Sequence, residues 1–304
     1  MDKPDSPGGI FVLPEADISG IERKYLDLVY GSVSPLQKLD VYLPATGDGP
    51  FPVVMAIHGG AWMMCDKRDR QLVPMLSSLE RGYAVVAVNY RLSAEAKFPA
   101  QIRDVKAAIR WVKNNGKAYM LDTGRIALWG GSAGAHLSML AGLTSRPVKQ
   151  LSQECAPLDD PDAAKQSLPG PIKAIVSWYG PTDFLMMDSY LAASGLGPCD
   201  HGAPDSPESR LLGVTIGEAP DMVRAANPER YISELAPPLF IQHGLKDSTV
   251  PYQHSLELAR LARLAIGPER VFLELLEHAE HADPAFETAE NLKKVMAFLD
   301  EFLC

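Results

Sequence analysis

Gly130-Gly131-Ser132-Ala133-Gly134 places a hydroxyl among small residues where an apolar run, Arg125-Ile126-Ala127-Leu128-Trp129, meets a helix-like segment, His136-Leu137-Ser138-Met139-Leu140. A strand that turns sharply into a helix strains its apical residue, and only small side chains two positions to either side escape collision as the chain folds back. Gly130 and Gly134 hold those two positions. The hydroxyl would then stand at the end of a sheet, beside the positive end of a helix, where developing negative charge is stabilised. The chemistry this suits is attack on a carbonyl, with an acyl group passing through the serine. A glycine-flanked serine in a surface loop gives the same five residues, so the pattern gains meaning only from its surroundings.

Upstream, Pro52-Val53-Val54-Met55-Ala56-Ile57 reads as a buried strand that ends in His58-Gly59-Gly60-Ala61-Trp62. A tetrahedral intermediate needs fixed donors aimed at its oxyanion, and paired glycines at a strand end expose backbone N–H groups. The expected donors are the amides of Ala133, Gly60 and Gly59. The structural alternative is a bend in which His58 bonds its own loop.

A nucleophilic serine also needs a base and an orienting acid, in the chain order serine, acid, histidine for a strand–turn–helix elbow. Asp247 follows the strand-like run Pro238-Leu239-Phe240-Ile241-Gln242, within His243-Gly244-Leu245-Lys246-Asp247. Asp183, in Tyr179-Gly180-Pro181-Thr182-Asp183, is the rival acid, in a setting that suits a turn or helix cap. After the run Val271 to Leu276 come His278 and His281, three residues apart, and one of them is expected to be the base.

Together, His58-Gly59-Gly60-Ala61-Trp62, the Gly130 to Gly134 elbow, His243-Gly244 with Asp247, and His281-Ala282-Asp283-Pro284-Ala285-Phe286 resemble the α/β-hydrolase carboxylesterases near the hormone-sensitive-lipase group. More narrowly, they are similar to the bifunctional feruloyl and acetyl-xylan esterases, from about Tyr25 to the C-terminus. The resemblance implies Ser132 as nucleophile, Asp247 as acid and His281 rather than His278 as base. Three departures stand out: Ala61 where many relatives carry a third glycine, and Cys65 and Glu280 where glycine is expected.

Seven strand-like runs, Leu39 to Leu43, Val53 to Ile57, Tyr83 to Val88, Ile126 to Trp129, Ile172 to Trp178, Leu239 to Gln242 and Val271 to Leu276, alternate with helical patterns. That alternation predicts an α/β fold with a mostly parallel central sheet flanked by helices, the α/β-hydrolase arrangement. The clearest helix is Ala100 to Asn114, with Ile102, Val105, Ile109 and Val112 at three- and four-residue spacing. The expected organisation is an N-terminal arm over 1–24 and one domain over 25–304. Two turn-rich insertions, about 144–171 and 185–228, are candidate caps. Trp62 and Tyr179, with Trp178, are candidates to line the substrate pocket.

The 304 residues, 46% hydrophobic, suffice for one large core. A net charge of −9 with no basic stripe argues against nucleic acid or an anionic membrane as partner. His136, His201, His243 and His254 receive packing or loop roles, the last at the start of an exposed helix. No metal-ligand motif is present, and the acidic run Leu158 to Asp162 reads as a solvated loop. The four scattered cysteines, Cys65, Cys155, Cys199 and Cys304, are expected as free thiols. No secretory leader or spanning run is visible, giving an expectation of cytoplasmic residence. The expectation is a cofactor-free serine esterase for short-chain or hydroxycinnamoyl esters, acting on a small-molecule or oligosaccharide ester such as a plant cell-wall carbohydrate ester. A peptidase or amidase of the same fold, dipeptidyl-peptidase-like or arylformamidase-like, and a non-catalytic ligand-binding member are the alternatives.

Overall fold

Runs that are apolar at every position need cover on both faces, and here they form the middle of an eight-stranded sheet. The computed structural model describes residues 13–146, 158–159 and 170–303. Its strands are β1 (Lys24–Val29), β2 (Lys38–Tyr42), β3 (Phe51–Ile57), β4 (Ala84–Val88), β5 (Leu121–Gly131), β6 (Ala174–Trp178), β7 (Leu239–Gly244) and β8 (Val271–Leu276). Their order is β1-β2-β4-β3-β5-β6-β7-β8. The pairs β1–β2 and β2–β4 are antiparallel, and all the others are parallel. This is the α/β-hydrolase fold.

Alternate residues of β3 serve two separate cores. Val53, Met55 and Ile57 belong to the core that includes buried residues of the helices Ala100–Asn115, Ala133–Leu143 and Gln253–Ile266, whereas Val54 and Ala56 belong to the core that includes those of the helix Ala289–Leu303. In the Ala100–Asn115 helix, Ile102, Val105, Ile109 and Val112 form the buried stripe that their spacing predicts.

The parallel register carries the chain ends of the strands to one edge. Ile57 lies opposite Gly130, Gly131 opposite Trp178, Trp178 opposite Gln242, and Gly244 opposite Leu276. The loops after β3, β5, β6, β7 and β8 therefore converge, as they do at the carboxyl edge of open α/β sheets.

One region differs from the sequence expectation. β1 is an additional strand, an edge strand with most of its side chains exposed, so it lacks the buried apolar pattern that marks the others. The described part of the N-terminal arm is docked: Ala16 N–H donates to Arg68 O (2.7 Å), Arg70 N–H donates to Pro14 O (2.8 Å), and Glu15 pairs with Asp69. The 185–228 insertion contains the short helices Met187–Ser194, Pro207–Leu212 and Pro220–Ala226. Most of the other proposed cap, 144–171, lies outside the described residues.

Candidate active site

β5 ends at Gly131 and a helix begins at Ala133, so Ser132 alone makes the turn, with φ 54° and ψ −124°. That left-handed conformation is strained for a residue with a Cβ. A side chain at Gly130 would collide with the Gly134 backbone, and one at Gly134 with the carbonyls of Ile57 and His58. The two glycines thus let the helix approach β3 and β5 closely.

The structure brings Ser132, His281 and Asp247 into one hydrogen-bonded chain. Ser132 Oγ is 3.0 Å from His281 Nε2, and His281 Nδ1 is 2.8 Å from Asp247 Oδ2. Because a carboxylate only accepts, Nδ1 carries the proton and Nε2 is free to accept from the serine hydroxyl. Asp247 is wholly buried, and its Oδ1 accepts the Thr249 (2.9 Å) and Val250 (2.8 Å) amides. Burial acts to raise its pKa, but attraction to His281 and hydrogen bonds from His243 and His281 outweigh it and hold the carboxyl well below the usual carboxylate range.

His243, for which the sequence predicts only a packing or loop role, is a partner of the acid. Its Nε2 lies 2.8 Å from Val250 O and 3.2 Å from Asp247 Oδ2, and its Nδ1 lies 2.7 Å from Ser255 Oγ. It fastens the Asp247 loop to β7. The signal available was its position four residues before the acid at the end of a buried run.

The rival residues are placed elsewhere. Asp183 caps the short helical turn Phe184–Met186 by accepting from Leu185 N–H (3.0 Å). His278 is exposed on the loop after β8. His254 lies near the start of the Gln253–Ile266 helix, but is itself buried, not exposed as expected: Nδ1 is 2.8 Å from Thr182 Oγ1, and burial lowers its pKa to about 3. His201 is also buried, 3.0 Å from Glu208. His136 packs edge-on to Trp62, with Nε2 2.7 Å from Ala226 O.

On the other side of Ser132, Gly60, Ala61 and Trp62 all have positive φ, 98°, 53° and 58°. Cys65, standing where glycine is expected, has φ 79°, and burial beside Asp69 pushes its thiol up to about 12. Gly60 and Ala133 amides have no acceptor among the described residues and can serve an oxyanion. Gly59 differs from the sequence expectation, because its N–H donates to Gln71 Oε1 (3.0 Å) and is already satisfied. His58 bonds its own loop, with Nδ1 2.8 Å from Gly59 O.

A cavity of about 280 Å³ opens beside Ser132 and His281. Its apolar lining includes Ala56, Leu72, Met75, Trp178 and Tyr179, and its polar lining includes Gln71, Arg70 and Glu287. Arg70 and Glu287 are paired at 2.8 Å. Tyr179 lines the cavity and stacks edge-on with His281, 4.8 Å between centroids. Trp62 does not: it is 2% exposed, turned inward by its left-handed backbone, and packs on His136 and Phe184. No described residue of the 185–228 insertion lines the cavity, whose cover comes from the 60–75 segment and Leu13.

The BD-FAE family model matches residues 39–261. The chain belongs to the BD-FAE family. It is 32% identical to esterase LipQ of Mycobacterium tuberculosis over 302 residues, 95% of this chain and 64% of that protein. With the Arabidopsis thaliana isoprenylcysteine alpha-carbonyl methylesterase ICME, identity is 28%, covering 75% of this chain and 50% of that one. The chain thus spans less than two thirds of either relative. Among solved structures, a bifunctional GH43-CE protein of Bacteroides eggerthii superposes with a TM-score of 0.79 at 31% identity, covering 93% of this chain and 35% of that one. A truncated carbohydrate esterase from gut microbiota gives 0.77 at 26%, covering 94% and 98%.

Among the described residues no group of three or more His, Cys, Asp or Glu is placed to hold a metal, and Cys65 and Cys199 are free thiols. No described helix is long and apolar enough to cross a membrane.

Proposed function

We propose that this protein is a serine carboxylic-ester hydrolase whose nucleophile, base and acid are Ser132, His281 and Asp247. The observation that carries this reading is the Ser132–His281–Asp247 chain, 3.0 and 2.8 Å, with Ser132, His281 and Gly60 all lining the cavity. In this mechanism Ser132 Oγ attacks the ester carbonyl carbon while His281 Nε2 takes the hydroxyl proton. The carbonyl oxygen, now negative, is held by the Gly60 and Ala133 N–H groups. Collapse expels the alcohol, which receives the proton from His281, and leaves an acyl-serine. Water, deprotonated by the same imidazole, attacks that acyl group, and the second collapse returns the proton to Ser132 and frees the acid. Asp247 keeps the Nδ1 proton on the imidazole and stabilises the cation formed in each half.

The substrates are short-chain acyl or hydroxycinnamoyl esters of small alcohols or oligosaccharides. Support comes from the carbohydrate esterase and GH43-CE neighbours and from the limited, largely apolar cavity whose lining also includes Arg70, Gln71 and Glu287. Each methylene the cavity can bury contributes about 0.8 kcal/mol, or roughly fourfold in kcat/KM, until the far wall is reached. The test is kcat/KM across acetyl, butyryl, feruloyl and dodecanoyl esters, with and without a xylo-oligosaccharide as the alcohol. The expected profile peaks at short or aromatic acyl groups, while a steady rise to dodecanoyl overturns the closed pocket. Release of amines from amides in preference to alcohols from esters would move the reading to a peptidase or amidase.

A further inference from the structure

Gln71 is reached by neither the strand runs nor the glycine motifs, yet it touches the backbone on which the oxyanion site depends. Gly59 N–H donates to its Oε1 (3.0 Å), and its Nε2 donates to Asp69 Oδ2 (3.1 Å). The amide orientation is fixed at both ends, because a peptide N–H only donates and a carboxylate only accepts. Asp69 is itself buried and held, accepting from the Gln71 (2.9 Å) and Asp66 (3.2 Å) amides. Its neighbour Arg70 is anchored to Pro14 O, so the platform behind Gln71 does not depend on Gln71.

The peptide planes show what this contact does. His58 Nδ1 and Gly59 O define the Gly59–Gly60 plane, and the Gly60 N–H points opposite that carbonyl. The preceding plane, His58–Gly59, is gripped by Tyr90 Oη on His58 O (3.0 Å) and by Gln71 on Gly59 N–H. Immediately afterwards the chain enters three consecutive residues with positive φ, a conformation that persists only where neighbours enforce it. A Cβ at Gly59 would stand 2.8 Å from Gln71 Oε1 and 2.9 Å from Gly131 O, so the glutamine fills the space that glycine leaves.

We propose that Gln71 is a positioning residue of the oxyanion site: it clamps the Gly59 peptide from the pocket wall and so keeps the Gly60 amide aimed at the oxygen of the reacting carbonyl. This rests on the esterase reading and adds a residue that acts through Gly59, without touching the reacting atoms.

The test uses the full chain with 4-nitrophenyl acetate. Gln71→Met keeps length and removes both hydrogen bonds; the expected result is kcat down about ten- to hundredfold with KM within about twofold, since a displaced donor weakens the transition state more than the ground state. Gln71→Glu supplies the rescue. Protonated, it donates O–H to Asp69 and accepts from Gly59 N–H as glutamine does; ionised, it still accepts from Gly59 but loses its bond to Asp69 and is repelled by that carboxylate, which loosens the clamp. Its kcat relative to wild type at the same pH should therefore approach one at low pH and fall as pH rises. An unchanged kcat, or a loss confined to KM, in Gln71→Met overturns the inference and leaves Gln71 as pocket lining, and so does a Gln71→Glu ratio that stays far below one at low pH. Absence of wild-type turnover abolished by Ser132→Ala overturns the esterase reading and this inference together; intact Ser132-dependent turnover with unaffected Gln71 variants overturns the inference alone.

Discussion

The 60–75 segment and the 185–228 insertion both emerge at the carboxyl edge of the sheet, yet only the first walls the cavity. The first is short on regular structure and rich in constraint: four positive-φ residues, the Asp69–Gln71–Gly59 hydrogen bonds, the docked arm and the Arg70–Glu287 pair. The second folds into short helices, that over Pro207–Leu212 capped by Ser206, and its Leu191, Leu211, Leu212, Ile216 and Val223 are buried. One is a wall held by polar clamps and strained backbone, and the other is an extension of the core. Backbone strain gathers around the candidate site: of the eight non-glycine residues with positive φ among the described residues, Ala61, Trp62, Cys65, Ser132, Tyr179 and Ala282 all lie in or next to it.

The comparison breaks most sharply at Ser132. Ser132→Ala should lower ester kcat/KM by about a thousandfold or more while the chain stays folded, checked by circular dichroism and a nitrophenyl-ester assay. His281→Ala should match it, whereas His278→Ala, altering an exposed side chain, should stay within about threefold. The reverse ranking moves the base to His278. Asp247→Asn keeps the shape but can donate to Nδ1, stabilising the wrong imidazole tautomer, so kcat should fall by about a thousandfold.

Smaller effects separate the two regions. Met75→Trp, which fills the cavity from the 60–75 side, should cut butyryl turnover about tenfold while leaving acetyl nearly unchanged. Leu185→Ala, on the insertion, should leave both within about twofold. If Leu185→Ala shifts acyl preference and Met75→Trp does not, the wall has been assigned to the wrong region.

The smallest expected effect on activity comes from Glu229, behind the insertion, whose Oε1 accepts from Thr182 Oγ1 (2.6 Å). Burial raises its pKa from 4.5 to about 7. A carboxyl raised on folding contributes stability that is complete below its unfolded pKa and is lost as pH rises through the folded value. Wild-type Tm should therefore carry a declining component between pH 4.5 and about 7 that Glu229→Gln removes, with ester turnover unchanged.

Much of this was legible in the residues because it is written in local patterns. Glycines around Ser132, buried runs before His58 and Asp247, and the order serine, aspartate, histidine each reflect a constraint confined to a few neighbouring positions. The edge strand β1 escaped because its exposed side chains give no buried face to read. Gln71 and His243 escaped for a different reason: each acts by one polar contact to a loop, and a polar side chain's partner is not encoded in spacing. Trp62 was misplaced because the left-handed turn that swings it inward depends on three successive backbone angles. Turn-rich composition identified the 185–228 insertion but carried no information on which way its apolar side chains face.

The central claim is covalent chemistry at Ser132, and the most direct measurement is rapid quench of the protein mixed with excess 4-nitrophenyl acetate, followed by peptide mass spectrometry. The account predicts a burst approaching one nitrophenol per chain and one acetyl group on the peptide containing Ser132, absent in Ser132→Ala. Acetylation of another residue, or steady turnover that survives Ser132→Ala, would contradict it.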